Sequence, residues 1–467
     1  MIKFKSIIIN FLGIFNSRIL GFIRDMLSAS VLGANIYSDI FFVAFKFPNL
    51  FRRIFAEGAF TQSFLPSFAK AKYKPSFAYK VFKYIFAIIL ILSIIVTLFS
   101  YQITDMLAYG FNTYEKKIAA PLVAINFWYL DLIFIVTFLS SLLQYKKHFA
   151  TTAFSTALLN IALILALLLS MHKSKEEIIF YMSIGVIIGG TAQVIAHLIA
   201  SKNKKILKLL YIGSKSKKEA DVSTFKKHFL PSVFGNSTAH ISAFLDTWLA
   251  TFLVSGSISY LYYANRLFQL PLALFAISTK TVFFPHITKK LENKKIQEAK
   301  EEMKKVFWYL FYLLILAFII AVINSKEIVW LLFQRGAFTN KDTIITSYVL
   351  IMYMAGLIPI GLNQLFSSYL YASHKHLKVA KFSAISLGVN IIFSLILIFP
   401  MKVLGLALAS SIGGIVLFYL NLKEFGFREF LAFFEKKYLF YLIFVILVSI
   451  FLSIGFKEVI YLIKGVK

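Results

Sequence analysis

The chain has 467 residues, 59% of them hydrophobic and 52 of them Phe, with a formal net charge of +29 and no cysteine. Soluble domains are about 45–50% apolar, so this composition excludes a water-soluble globular fold. The missing cysteines exclude disulfides, Cys-based zinc sites and thiol nucleophiles, and the basic excess raises nucleic acid as a partner until its distribution is considered.

Taken in chain order, apolar runs near the ~20 residues that cross a bilayer predict helices at about 6–30, 36–56, 81–104, 119–143, 151–171, 177–200, 229–254, 258–284, 306–324, 343–371, 380–400, 402–421 and 438–456. About thirteen such spans make an all-α polytopic membrane protein. The first is read as an uncleaved span, because Arg18, Arg24 and Asp25 interrupt any signal-peptide core and no small-residue cleavage site follows. A basic break at 201–228, with Lys202, Lys204, Lys205, Lys208, Lys215, Lys217 and Lys218, predicts a cytoplasmic linker. It separates an N-lobe of six helices, 1–200, from a C-lobe of six, 229–421; a basic loop, one further helix and a short tail occupy 422–467.

With the N-terminus in the cytoplasm, the expected cytoplasmic segments hold about 30 Lys and Arg and the outer loops about 8, the asymmetry that orients membrane proteins. Topology therefore accounts for most of the basic charge. The linker lacks any recognition module for nucleic acid, and attraction to anionic membrane lipid fits it better.

A weak internal echo supports two lobes: Asp25, Ala44-Phe45-Lys46, Pro48 and Phe64-Leu65-Pro66 are answered in order by Asp246, Ala264-Asn265-Arg266, Pro271 and Phe283-Phe284-Pro285. Two related bundles flanking a central cavity are the pattern of transporters whose halves rock about a substrate site. Pro48, Pro231, Pro271 and Pro359, with Gly21, are candidate bending points. Gly185, Gly189-Gly190 and Gly413-Gly414 read instead as helix-packing positions.

Arginine is the informative residue type. Only seven of the 50 basic residues are Arg, and Arg18, Arg24, Arg52, Arg53 and Arg266 lie in or beside spans. A charge at the centre of a membrane helix costs about 2.5–3.5 kcal/mol on the insertion scale, so these side chains should face a polar cavity or partners. Arg18 and Asp25 are seven apart on helix 1; Asp39, Lys46 and Arg53 repeat that spacing on helix 2. Arg18, Arg24, Arg52 and Arg266 around one cavity would make a receptor for a diphosphate or carboxylate, because guanidinium binds planar oxyanions bidentately. The competing reading is a set of inter-helix ion pairs, such as Arg18 with Asp25. No phosphate-binding Gly-rich loop, His-Glu-x-x-His or Gly-x-Ser-x-Gly motif occurs, and the outer segments 101–119 and 324–342 are small for an external catalytic domain. A transporter is expected rather than an enzyme.

The run Ser17-Arg18-Ile19-Leu20-Gly21-Phe22-Ile23-Arg24-Asp25, continuing through Ser38-Asp39-Ile40-Phe41-Phe42-Val43-Ala44-Phe45-Lys46-Phe47-Pro48-Asn49-Leu50-Phe51-Arg52-Arg53, resembles the N-terminal signature of the MurJ (MviN) family of lipid II flippases. Tyr262-Tyr263-Ala264-Asn265-Arg266-Leu267, Leu332-Phe333-Gln334-Arg335-Gly336-Ala337-Phe338-Thr339 and Gly405-Leu406-Ala407-Leu408-Ala409-Ser410 add to it, so the resemblance covers nearly the whole chain. It implies a member of the multidrug, oligosaccharidyl-lipid and polysaccharide exporter superfamily, with two bundles around a cationic cavity in the inner membrane. Its substrate would be lipid II, an undecaprenyl diphosphate bearing sugars and a peptide. Membrane lipids would surround the tail, and cell-wall synthesis or division proteins would be neighbours.

Carried over by position, the substrate site is Arg18, Arg24, Arg52 and Arg266, with Asp25, Asp39, Lys46 and Asn49 in support. The resemblance also implies a sodium site at Asp246, Asn390, Ser394, the Leu406 carbonyl and Ser410; Ser394 stands where relatives often have an acid. No other cofactor is implied. Family members commonly have fourteen helices, the last two lining a groove for the lipid tail, whereas only 457–467 follow the thirteenth span here. The C-terminus is therefore expected outside. A flippase for another lipid-linked oligosaccharide would share the arginine chemistry; an exporter of cationic drugs would need acids in its cavity.

Overall fold

A computed structural model describes residues 4–52, 59–218 and 220–465, and it is helical with no strands among them. Ten helices in those residues are long and apolar enough to cross a membrane. They coincide with ten of the thirteen expected spans. The other three fall on α1 (Phe4–Leu32), α2 (Ile36–Phe51) and α11 (Ser223–Ala250). Among these, α1 carries Arg18, Arg24 and Asp25, and α2 has 16 helical residues.

The chain forms two compact units, 1–256 and 257–467. In unit 1, α1 and α2 are followed by α3 (Ala59–Lys70), α4 (Lys74–Leu98), α5 (Ser100–Leu107), α6 (Thr113–Phe127), α7 (Tyr129–Tyr145), α8 (Ala150–Ser170), α9 (Lys175–Asn203), α10 (Ile206–Lys215) and α11. Unit 2 holds α12 (Ser257–Pro271), α13 (Ser278–Glu292), α14 (Ile296–Ile323), α15 (Ser325–Phe333), α16 (Asn340–Met354), α17 (Leu357–Ala372), α18 (His376–Met401), α19 (Val403–Phe425), α20 (Phe427–Leu431) and α21 (Lys436–Lys464). A repeat of helix order is also present, in elements that the sequence echo does not reach. The order α4 to α9, a long helix, a short one, a helix broken in two and a hairpin, recurs as α14 to α19. The short helices α5 and α15 lie where the sequence reading placed outer loops.

Side-chain-oxygen caps start several of these helices. Asn35, Asn112, Ser174 and Thr339 each accept a backbone N–H three residues on, and the third helical residue bonds back to the cap. Such reciprocal capping satisfies two donors that the helix start leaves open.

Close packing rests on small residues, as read from the sequence. A Cβ on Gly185 would fall 2.9 Å from the Ala166 Cβ, and one on Gly189 would fall 2.8 Å from the Leu159 Cα, so α8 and α9 approach backbone to backbone. In unit 2 Gly414 takes the Ile360 side chain against it, where a Cβ would fall 2.3 Å from Ile360 Cγ1. The cores are aromatic. Phe60, Phe64, Phe68, Phe77, Phe134 and Phe138 interlock in unit 1. Around Phe307 in unit 2 are Trp308, Phe366, Phe430, Phe433 and Phe434.

Two local features differ from expectation. The expected linker contains a helix, α10, whose Gly213 sits against the Pro75 carbonyl at the start of α4; a Cβ there would be 2.2 Å from that oxygen. The span expected at 438–456 runs on as α21 to Lys464, since nothing in that stretch breaks a helix and Ser449 and Ser453 bond back to the carbonyls of Val445 and Ser449. It is pinned at its start by Trp308 Nε1 donating to the Phe433 carbonyl at 2.8 Å and Tyr312 donating to the Tyr438 carbonyl at 2.8 Å. Pro271 is followed by a π-helical stretch, Leu272–Ile277, before α13. Proline cannot donate into the helix ladder, and the chain widens there.

Candidate functional site

In unit 1 the structure brings Arg24, Asp25 and Asn160 together. Arg24 and Asp25 are neighbours in α1, yet the guanidinium folds back and donates from Nε (3.1 Å) and Nη2 (2.6 Å) to Asp25 Oδ1. Its Nη1 donates to Asn160 Oδ1 on α8 at 3.0 Å, and Asn160 Nδ2 donates to the Ser17 carbonyl at 3.0 Å. Arg24 is 8% exposed and Asp25 3%, so this charge pair is taken out of solvent and held by directed bonds. Asn160 thus ties α8 to α1 at two levels, close to Gly21, one turn from Arg24. The sequence reading missed Asn160, a single amide in an apolar helix.

The other candidates of unit 1 are placed as follows. Arg18 is exposed on α1, one or two turns before Arg24. Asp39 is 2% exposed and accepts the Gly256 amide at 2.7 Å, which places it at the end of unit 1 where Gly256 takes φ +92°. Lys46 donates to Thr247 on α11. Asn49 bonds back to the Phe45 carbonyl at 2.7 Å, and half-buried Arg52 caps the end of α2. Arg53 and the Pro231 side chain lie outside the described residues.

In unit 2, Arg266 on α12 stacks over the Tyr262 ring, 4.9 Å from its centroid, and donates to the Tyr262 hydroxyl at 2.9 Å. That holds a guanidinium plane in place from one turn away. The residues implied for sodium gather partly on α18 and α19: Asn390 is buried and donates to Ser410 Oγ at 3.2 Å, while Ser394 Oγ is buried with no hydrogen-bond partner. A neutral set of oxygens with one unused hydroxyl fits a monovalent hard cation. Asp246 belongs to unit 1.

Fold and composition define a multi-pass helical membrane protein built from two units of related helix order, an architecture found among membrane transporters. The lipid II flippase MurJ family model matches residues 28–464. The chain is 48% identical over 446 residues to a probable lipid II flippase MurJ of Helicobacter pylori, covering 92% of this chain and 96% of that protein. It is 30% identical over 449 residues to the corresponding protein of Haemophilus influenzae, covering 91% and 86%. Among solved structures it resembles a lipid II flippase MurJ in an inward closed conformation, with TM-score 0.79, 26% identity and coverage of 97% and 99%. An inward-facing multidrug transporter of the MATE family shares the fold at TM-score 0.60 and 13% identity, covering 95% and 96%. The chain belongs to the MurJ family of lipid II flippases.

Proposed function

We propose that this chain exports lipid II across the inner membrane, from the cytoplasmic to the outer leaflet, as a transporter and not an enzyme, with its N-terminus in the cytoplasm. The observation that carries the reading is Arg24: a buried, directed guanidinium on the first membrane helix of a chain that matches the family from 28 to 464. In this mechanism Arg18, Arg24, Arg52 and Arg266 take the diphosphate of the substrate by charge-assisted hydrogen bonds. Asp25 and Asn160 hold the Arg24 fork in one orientation, and Tyr262 does the same for Arg266. Asp39, Lys46 and Asn49 support the same site. The lipid tail stays in the bilayer while the headgroup moves. A potential negative inside favours outward movement of an anion by roughly 2.3 kcal/mol per charge per 100 mV, hence about 4.6 kcal/mol for two net charges.

A sodium ion would be held by Asn390, Ser394, Ser410 and the Leu406 carbonyl, with Asp246, where it would supply charge that steadies one packing of α18 on α19. The test is complementation of a bacterium depleted of its lipid II flippase, scoring headgroup exposure at the outer face, with Arg18→Ala, Arg24→Ala and Arg266→Ala variants matched for membrane level. Rescue by wild type alone is expected. Equal rescue by the variants would remove the arginines from the mechanism, and failure of inserted wild type would point to another lipid-linked substrate.

A further inference from the structure

Asp131 lies near the middle of the Thr113–Tyr145 membrane span, in the first turn of α7, just after that span breaks at Trp128. It is 5% exposed. One carboxyl oxygen meets Ser93 Oγ of α4 at 2.5 Å; the other is buried and has no hydrogen-bond partner. An ionised carboxylate would need several donors or a cation to replace water at both oxygens. Among the described residues no basic group forms an ion pair with it.

The charged and titratable groups on the elements packed against α7 are engaged elsewhere or sit at helix ends. On α2, Asp39 takes the Gly256 amide and Lys46 the Thr247 hydroxyl, while Arg52 caps the helix. On α4, Lys80 donates to the Ala220 carbonyl, and Lys83 and Tyr84 are exposed. Lys116 of α6 pairs with Asp105, its neighbours Glu115 and Lys117 lie in the first turns, and Glu177 of α9 pairs with Lys173 beside Glu176. His197 of α9 is bonded to the Gln193 carbonyl, Lys70 ends α3, and Lys208 and Lys215 lie on α10.

The matching break in unit 2 is made without an acid. In the corresponding break of unit 2, the third residue of α17 is Pro359, and the position six before the cap of α14, where α4 has Ser93, is Phe318. One copy of the motif makes the same break with two apolar residues; the other keeps an acid and a hydroxyl, and buried membrane acids without a folding role mark ion or proton pathways.

We propose that Asp131 is a proton-binding site of unit 1, neutral in this packing of α4 on α7, and that loss of its proton selects a different packing in which the carboxylate reaches water. The ligand is a proton; an alkali cation at the same carboxyl is the rival. The coupling to transport rests on the flippase reading, whereas the protonation does not. Infrared spectra of the full chain in lipid nanodiscs at neutral pH, wild type against Asp131→Asn, read the protonation directly. A protonated-acid carbonyl band should be present in wild type, lost in Asp131→Asn and shifted in Ser93→Ala, with no response to sodium. A difference spectrum showing only carboxylate bands, or one in which sodium changes the Asp131 signal, overturns the proposal.

In proteoliposomes, wild-type headgroup export should depend on an imposed pH gradient, and Asp131→Asn should lose that dependence while still responding to membrane potential. Unchanged pH dependence in Asp131→Asn overturns the coupling. If wild type moves no lipid II, the infrared result still decides the site, so the two readings fail separately. Should Asp131→Asn not insert, the sodium-insensitive band and its shift in Ser93→Ala carry the same decision.

Discussion

Removing Asp25 should cost more than removing a surface charge, and the structure says how much. Asp25→Ala strips two bonds, at 3.1 and 2.6 Å, from a guanidinium that is 8% exposed and keeps its bond to Asn160. Breaking a buried pair by deleting one partner leaves an uncompensated charge and costs about 3–5 kcal/mol. Arg24→Ala should cost a similar amount by taking both guanidinium bonds from the buried carboxylate. The double variant removes both charges together, so the two effects must not add: a coupling of roughly 2–3 kcal/mol is expected, at the upper end of measured pair energies. The assay is a double-mutant cycle on unfolding of the chain in bicelles, with Asn160→Ala as a third arm costing about 1.5–3 kcal/mol for a bond to a charged group. Arg24→Lys keeps the charge but cannot reach Asp25 and Asn160 with one planar fork, and should recover less than half of the Arg24→Ala loss. A coupling under about 0.5 kcal/mol would refute the buried network and, with it, the idea that Asp25 and Asn160 orient Arg24.

Arg266→Lys should weaken complementation in the flippase-depleted strain by an amount close to Tyr262→Leu, because the first change removes the guanidinium and the second the ring and hydroxyl that fix it, a contact worth about 0.5–2 kcal/mol; an unaffected Tyr262→Leu would refute the positioning. Gly189→Val should destabilise by about 1–3 kcal/mol, read as a lowered unfolding midpoint in detergent, since its Cβ would press on the backbone of Leu159. Burial, with Lys204 adding to it, lowers the pKa of His148 from its ordinary 6.5. The unfolded chain therefore binds the proton first, and stability from this residue is lost as pH falls below about 6.5 toward the folded value. His148→Gln should flatten unfolding midpoints across that window, and an unchanged slope would exclude the histidine.

Membrane spans were legible because hydrophobic length is a property of contiguous residues: ten expected spans meet ten long apolar helices. The internal repeat was nearly hidden. It lives in helix lengths and breaks, and the residues that make a break differ between copies, Trp128 in one and Gly356 with Pro359 in the other. Arg24 was legible as a lone guanidinium in an apolar stretch, but its partner was not. Spacing by helical turns favours Arg18 with Asp25, whereas a long side chain can fold onto its immediate neighbour when an amide on the next helix, Asn160, holds the far end of the fork. Asp131 and Asn160 drew no attention because each stands alone in sequence, and what marks them is burial against a specific neighbour.

The repeat offers a way to separate residues that build the scaffold from residues that use it. Features that both copies share, the short helix after the long one, the broken span and the small-residue hairpin, are what folding in a bilayer demands, where every backbone group must be satisfied within the protein. Features found in one copy only cannot be explained that way. Asp131 is such a feature, since the matching break of unit 2 has Pro359 in its place. A buried charge costs several kcal/mol inside a membrane, so an acid that one copy of the break has and the other lacks is the place to test for ion or proton binding.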